Sequence, residues 1–501
     1  MKSKQKDRRV TPTRPEDERL PIGRSVTYGL QHVLTMYGGI IAVPLIVGTA
    51  AGLDPADVAV LIASALFIGG AATVLQSWGV PFFGSQLPLV QGVSFAGVAT
   101  MLAILAGGGG LPAVFGAVLV AGLIGLVLAP FFAKVIHFFP PVVTGVVITT
   151  IGLTLMPVAA NWAMGGNASA DDYGSLANIG LAALTFVVVL LLSKVGIAAV
   201  SRLSILLAIV LGTVVALILG MADFSGVGDG PAVAVPSPFA FGMPTFEVAA
   251  IVSMTIVVLV TMTETTADIL AVGEIVRTKV DSRRIADGLR ADMLSSTVAP
   301  VFNSFTQTAF AQNVGLVAIT GIKSRFVVSA GGVIMLVLGL LPVLGRVVAA
   351  VPTPVLGGAG VVLFGTVAAS GIRTLAKVDY EGNMNLVIVA SSLAFGMIPI
   401  VAPAFYDNFP AWFGTIFHSG ISSAAVMAVL LNLVFNVLRA GNAPESSVMV
   451  ARGARFVRPE HLEALEDGDY FQGGRLIDAG GKEVPIAALD QALDSSADRQ
   501  S

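Results

Sequence analysis

Runs of apolar residues, each close to the roughly 20 that an α-helix needs to cross the ~30 Å hydrocarbon layer of a bilayer, recur along the whole chain. With that ruler they fall at about 26–49, 57–76, 86–106, 111–133, 141–160, 177–194 and 200–221. A second set follows at about 247–273, 285–302, 305–321, 326–343, 353–371, 384–404 and 416–438. The pattern predicts an all-α polytopic membrane protein with 14 transmembrane segments, seven plus seven. Composition agrees: 55% of residues are hydrophobic and 12% are charged, where a soluble domain carries about 25% charged residues. Mean hydropathy is +0.87.

Two segments, 86–106 and 305–321, are interrupted by polar and small residues, and each is the third of its set. Phe305 to Arg325 reads FTQTAFAQNVGLVAITGIKSR. Thr306, Thr308 and Phe310 are spaced by two, as on a strand, and a short helix is expected from about Asn313. A side-chain amide at depth has no water to satisfy it, so Gln312 and Asn313 need partners or a ligand. Broken spans at matching positions of two halves point to an inverted-repeat transporter and to its binding site. A second internal match supports the repeat: Pro141-Val142-x-x-Gly145-x6-Gly152 recurs as Pro354-Val355-x-x-Gly358-x6-Gly365, 213 residues on. Helix-starting Pro and small packing residues are common in membrane helices, so the weight rests on the parallel broken segments.

Charge placement gives orientation. Lys134, Lys194, Arg202, Arg277, Lys279, Arg283, Arg284, Lys323, Arg325, Arg373 and Lys377 lie in even-numbered loops, and Arg346 alone in the odd-numbered ones. By the positive-inside rule both termini are expected in the cytoplasm, with an N-terminal arm (1–25), repeats at 26–221 and 247–438, and a polar tail (441–501). The arm has no apolar core of its own, so no cleavable signal peptide is expected. Net charge is −3, which leaves no basic face for a nucleic-acid partner. Cysteine is absent, which excludes thiol catalysis, disulfides and thiolate metal sites. No nucleophile–base pair or metal-ligand cluster is recognisable, so neither an enzyme nor a bound cofactor is expected.

Further polar residues sit where an apolar environment penalises them. Glu264 and Asp268 are four apart and share a helix face. Glu264 precedes Arg277 by 13 residues, about 20 Å along a helix and so near mid-membrane. Gln312, 11 residues before Lys323, lies at a comparable depth. An ionised carboxylate there costs about 2.5 kcal/mol or more, and exchanging a proton for a substrate is the usual reason to keep one. Structural alternatives exist for each: Glu264 as a protonated bond to a neighbouring helix, Asp268 and Asp292 as helix-orienting groups, Gln312 as helix glue, and His32 as a packing residue. Asp292 has Arg290 close by as a candidate partner at the interface.

The motif Gln312-Asn313-x-Gly315-x4-Thr320-Gly321 resembles the signature of the nucleobase–ascorbate transporter family, the xanthine/uracil permeases. Gln31-His32, Glu264 in TETTADI, and Asp292 twenty residues before Gln312 are similar to that family's positions, and the resemblance covers about residues 25–440. It implies fourteen segments in two inverted repeats, with short antiparallel strands in segments 3 and 10. Segments 1–4 and 8–11 would form a core domain, and 5–7 and 12–14 a gate domain that also makes a homodimer.

Carried over by resemblance, Glu264 and Gln312 hydrogen-bond the base, Phe95 and Ala311 offer main-chain groups, and Phe310 packs on the ring. His32, Asp268 and Asp292 join Glu264 in proton coupling, while Asn313, Gly315 and Thr320 support the signature. Gln at the first signature position resembles xanthine and uric acid permeases, whereas uracil permeases tend to carry Glu. An amide both donates and accepts, which suits the alternating edge of an oxopurine. Asp268, where uracil permeases tend to have His, points the same way, and the Ser94 hydroxyl is a candidate for favouring uric acid over xanthine. The expectation is a proton-coupled importer of xanthine or uric acid in the inner membrane. A uracil symporter is the nearest alternative. An anion transporter of similar fold is disfavoured by the acidic Glu264.

Overall fold

The computed structural model describes residues 14–132, 139–381, 384–438, 470–472, 475–478 and 480–484. Helices dominate. Asp54 caps the start of the second helix, its Oδ1 accepting from Asp57 N at 2.9 Å, with Pro55 in the first turn, where a missing N–H costs nothing. The first half comprises α1 (Ile22–Ala50), α2 (Pro55–Trp78), β1 (Gln91–Val93), α3 (Val98–Ala106), α4 (Gly110–Leu128), α5 (Pro141–Thr154), α6 (Met156–Ala163), α7 (Leu176–Lys194), α8 (Ala198–Arg202) and α9 (Ser204–Ile218). The second comprises α10 (Val248–Val276), α11 (Ser282–Val298), β2 (Gln307–Ala309), α12 (Ala311–Thr320), α13 (Arg325–Gly339), α14 (Pro342–Ala349), α15 (Thr353–Leu375), α16 (Asn385–Val401), α17 (Ala411–Phe417) and α18 (Gly420–Asn432).

Each apolar segment read from the sequence contains a helix. Among the described residues, eight helices are long and apolar enough to cross a membrane, and α13 with α14, bent by 79° at their junction, makes a ninth. Four more apolar helices are shorter: Phe95–Ala106, Ser204–Ile218, Ala311–Thr320 and Asn385–Val401. Helix α11 is not uniformly apolar. It carries Arg283, Arg284, Asp287, Arg290 and Asp292, and buries one face through Gly288, Leu289, Ala291 and Met293.

The two interrupted segments meet. β1 pairs antiparallel with β2, Gln91 opposite Ala309, Gly92 opposite Thr308 and Val93 opposite Gln307. The ladder extends through Ser94 N to Thr306 O (2.8 Å) and Phe310 N to Val90 O (3.0 Å). Outside the ladder, Gln91 N donates to Thr73 Oγ1 of α2 at 2.9 Å. Backbone buried in an apolar protein is thereby satisfied without a helix.

Packing is densest within two groups of helices. In one, α1, α2, α13 and α14 pack together and α10 and α11 pack on α4; in the other, α15 packs on α5, α6 and α7, and α16 on α5 and α18. Glycine permits the closest crossings. A Cβ on Gly70 would meet Leu336 N and Gly332 O, and one on Gly152 would meet Ala368 N, so each pair of backbones packs without intervening side chains.

The N-terminal arm is anchored to the helices at Glu16, Asp17 and Glu18. Glu16 is fully buried and pairs with Arg284 Nη2 at 2.5 Å, while Thr278 Oγ1 donates to the same Oε1 at 3.1 Å. Arg325 Nε donates to Asp17 Oδ1 at 2.6 Å, and Ser324 Oγ to Glu18 O at 2.5 Å. These bonds strap the arm across the starts of α11 and α13.

The tail contributes a separate unit in which β3 (Tyr470–Gln472), β4 (Arg475–Ile477) and β5 (Glu483–Val484) form an antiparallel sheet in sequence order. Residues 1–13 of the arm, Lys134 and most of the tail lie outside the described residues.

Candidate functional site

A cavity of about 460 Å³ lies between the two helix groups where the interrupted segments turn into helix. The first group contributes Phe95, Ala96, Glu264, Phe310, Ala311 and Gln312; the second contributes Ile148 and Ile151 of α5 and Thr366, Ser370 and Arg373 of α15. Glu264 projects from the middle of α10, and Ala311 and Gln312 open α12. No side chain caps α12, whose N-cap is Phe310, so the positive end of its dipole meets the cavity. Glu264 and Gln312 make no side-chain hydrogen bond among the described residues. One offers a carboxyl and the other a paired donor and acceptor to whatever enters.

Phe310 is held by absence of side chains around it. A Cβ on Gly39 would lie 2.8 Å from its Cε1, and one on Gly92 would lie 2.7 Å from its Cε2. The ring thus occupies space that α1 and β1 leave open, and turns one side to the cavity. Phe95 is in turn braced by Phe364 of α15, edge to face at 5.9 Å between centroids.

Of the remaining sequence-predicted residues, all but Gly315 stand around the cavity rather than on its lining. Asp292 is fully enclosed, accepting from Thr265 Oγ1 at 2.6 Å and from Gln76 Nε2 at 3.3 Å. Arg290 is not its partner; that guanidinium pairs with Asp287, three residues back on the α11 surface. Asn313 Nδ2 donates to His32 O at 3.1 Å and lies 3.0 Å from His32 Nδ1. An amide nitrogen only donates, so Nδ1 accepts, and this bond ties α12 to α1. Asp268 is buried with Oδ2 unpartnered among the described residues. Ser94 does not face the cavity: its hydroxyl accepts from Ala96 N at 3.2 Å and caps the turn at Phe95. Thr320 caps the far end of α12, accepting from Ile322 N at 3.3 Å, and Gly321 closes it at φ +68. Gly315 lines the cavity, with open space where a Cβ would be.

Two features escaped the sequence reading. Arg373, placed there in a loop, lines the cavity. The second is a cluster of hydroxyls between the helix groups: Thr100 Oγ1 lies 2.9 Å from Ser419 Oγ and 3.3 Å from Ser422 Oγ, and Ser253 Oγ lies 3.2 Å from Ser422 Oγ.

A polytopic helical protein with a polar-lipped cavity between two helix groups, beside two paired broken segments, is a membrane transporter of small molecules. Residues 23–405 match the model of a permease family, and the chain belongs to the xanthine/uracil permeases, or nucleobase–ascorbate transporters. It is 41% identical over 428 residues to the uric acid transporter UacT of Escherichia coli (strain K12), covering 85% of this chain and 89% of that one. It is 40% identical over 415 residues to the xanthine permease of Bacillus subtilis (strain 168), covering 83% and 94%. The uric acid permease PucK of the same organism is 40% identical over 417 residues, covering 83% and 96%.

Solved structures share the fold at low identity. The transmembrane domain of the cyanobacterial bicarbonate transporter BicA superposes with a TM-score of 0.52 at 17% identity, covering 82% of this chain and 97% of that one. The inward-facing murine Slc26a9 anion transporter gives 0.56 at 13%, covering 83% and 69%.

Proposed function

We propose that the chain imports an oxidised purine nucleobase, xanthine or uric acid, together with a proton. The observation that carries this is the placement of Glu264 and Gln312 on one cavity between the helix groups. Gln312 accepts from a ring N–H and donates to the adjacent carbonyl. Phe310 packs on the ring, and main-chain groups at Phe95 and Ala311 complete the contacts. Glu264 is protonated from the outside, the purine enters, and both leave to the cytoplasm. The relatives named for uric acid and xanthine transport support the substrate class.

The finer architecture belongs to the same proposal. We read the chain as fourteen segments in two inverted repeats of seven, in the inner membrane with both termini cytoplasmic. Segments 1–4 and 8–11 form the core that carries substrate, and 5–7 and 12–14 the gate, through which two copies dimerise. Transport is an elevator-like movement of core against gate, with Asp268, Asp292 and His32 supporting the proton at Glu264. The two packing groups and the hydroxyl contact between them favour this partition.

The test is uptake of radiolabelled xanthine, uric acid and uracil into cells expressing the chain, with and without a protonophore. Purine uptake that collapses with the proton gradient is expected. Uptake of uracil alone would overturn the reading of Gln312, and purine uptake indifferent to the protonophore would overturn the coupling.

A further inference from the structure

Arg373 and Arg202 both approach the site from the second helix group. Arg373, near the end of α15, lines the 460 Å³ cavity. Arg202, at the end of α8, lines a neighbouring cavity of about 280 Å³ with Thr35, Met36 and Gly39 of α1 and Ile205 of α9. The two cavities share Phe310, Gln312, Gly315 and Thr366, so they lie side by side with these residues between them. Both arginines lack a hydrogen bond or ion pair among the described residues. By contrast, Arg284 and Arg325 pair with Glu16 and Asp17, Arg290 with Asp287, and Arg346 Nε donates to Val227 O at 2.9 Å. The positive-inside rule accounts for arginine at segment ends. It does not explain why both guanidinium groups, Arg373 exposed and Arg202 half-buried, border a ligand cavity.

Among the described residues, Glu264 is the one carboxylate on either lining. Once it takes up a proton, the two linings hold two guanidinium groups and no ionised carboxylate, with Asp268 and Asp292 buried outside the lining. Such a lining favours an anion, such as a deprotonated oxopurine, over a neutral ligand through charge alone.

We propose that Arg202 and Arg373 are specificity-determining residues that favour an anionic oxopurine over a neutral one. The proposal rests on the purine reading above and adds the charge state of the substrate.

Purified full-length protein is assayed at mildly acidic pH, where uric acid is largely ionised and xanthine is neutral. Inhibition constants for both are measured by competition against labelled uric acid, or against labelled xanthine if that binds better. Arg373→Gln and Arg202→Gln are each expected to weaken uric acid binding roughly three- to tenfold and xanthine binding much less. Arg373→Lys and Arg202→Lys keep most of the preference because they keep the charge. Equal loss for both purines, an unchanged uric acid constant, or Lys variants as impaired as Gln variants would overturn the proposal. Wild-type protein that binds neither purine would instead overturn the purine reading.

Discussion

Thr265 Oγ1 donates a 2.6 Å hydrogen bond to Asp292 Oδ2, one residue along the chain from the Glu264 that lines the cavity. The same hydroxyl accepts from Ala309 N at 3.2 Å, so one oxygen joins α10, α11 and the end of β2. Replacing Thr265 by Val leaves a buried carboxylate oxygen and a buried N–H each short of a partner, at a cost of about 1–3 kcal/mol. The melting temperature of the purified protein is expected to fall, and Thr265→Ser to restore most of it. Equal melting of Thr265→Val and wild type would show that the hydroxyl is dispensable.

Glu264→Gln keeps the shape of the side chain and removes its proton exchange. Accumulation against a gradient is expected to disappear, while exchange of labelled for unlabelled purine across the membrane continues. Full uphill uptake by this variant, at wild-type surface amount, would remove Glu264 from the coupling.

Phe310 owes its position to Gly39 and Gly92. Gly92→Ala puts a methyl 2.7 Å from Phe310 Cε2 and 2.8 Å from Ile40 Cγ1, an overpacking of about 1–3 kcal/mol. The expected result is a raised KM for purine as the ring is displaced into the cavity. Gly180→Ala, with nothing within 4 Å of the new carbon, is the control and leaves KM unchanged. A Gly92→Ala protein with wild-type KM would mean that the ring adjusts freely.

Glu16→Ala removes the buried partner of Arg284. Breaking a buried pair from one side costs about 3–5 kcal/mol, read as a lowered melting temperature. Arg14→Ala, which loses only an exposed bond to Gln86 Oε1, is expected to stay within about 0.5 kcal/mol of wild type. Similar melting of the two variants would show that the Glu16 pair is not a stabilising contact.

The positions of the helices were legible because burial in lipid writes a long, local apolar signal, and the broken segments because polar residues stand out inside it. That Glu264 and Gln312 stand out from their apolar helices was legible for the same reason, and both line the cavity. Arg202 and Arg373 were not: both lie at segment ends, where a linear ruler assigns charge to loops, and their place at the cavities depends on how α8 and α15 pack on distant helices. Ser94 shows the converse failure. Its place beside Phe95 suggested a cavity hydroxyl, but the chain turns there, and Ser94 accepts from Ala96 N away from the lining. Glu16 sits in a run of mixed charge that reads as solvated, and its burial is created by Arg284, 268 residues away.

That distance has a consequence for biogenesis. Asp17 is synthesised 308 residues before its partner Arg325. At about 5–20 residues per second on the ribosome, the interval is roughly 15–60 s. Throughout it Asp17 is without Arg325, and for the first 268 residues Glu16 is without Arg284. The first described stretch of the chain to be made is therefore among the last to dock, and its closure marks a first helix group whose segments up to α13 have all arrived.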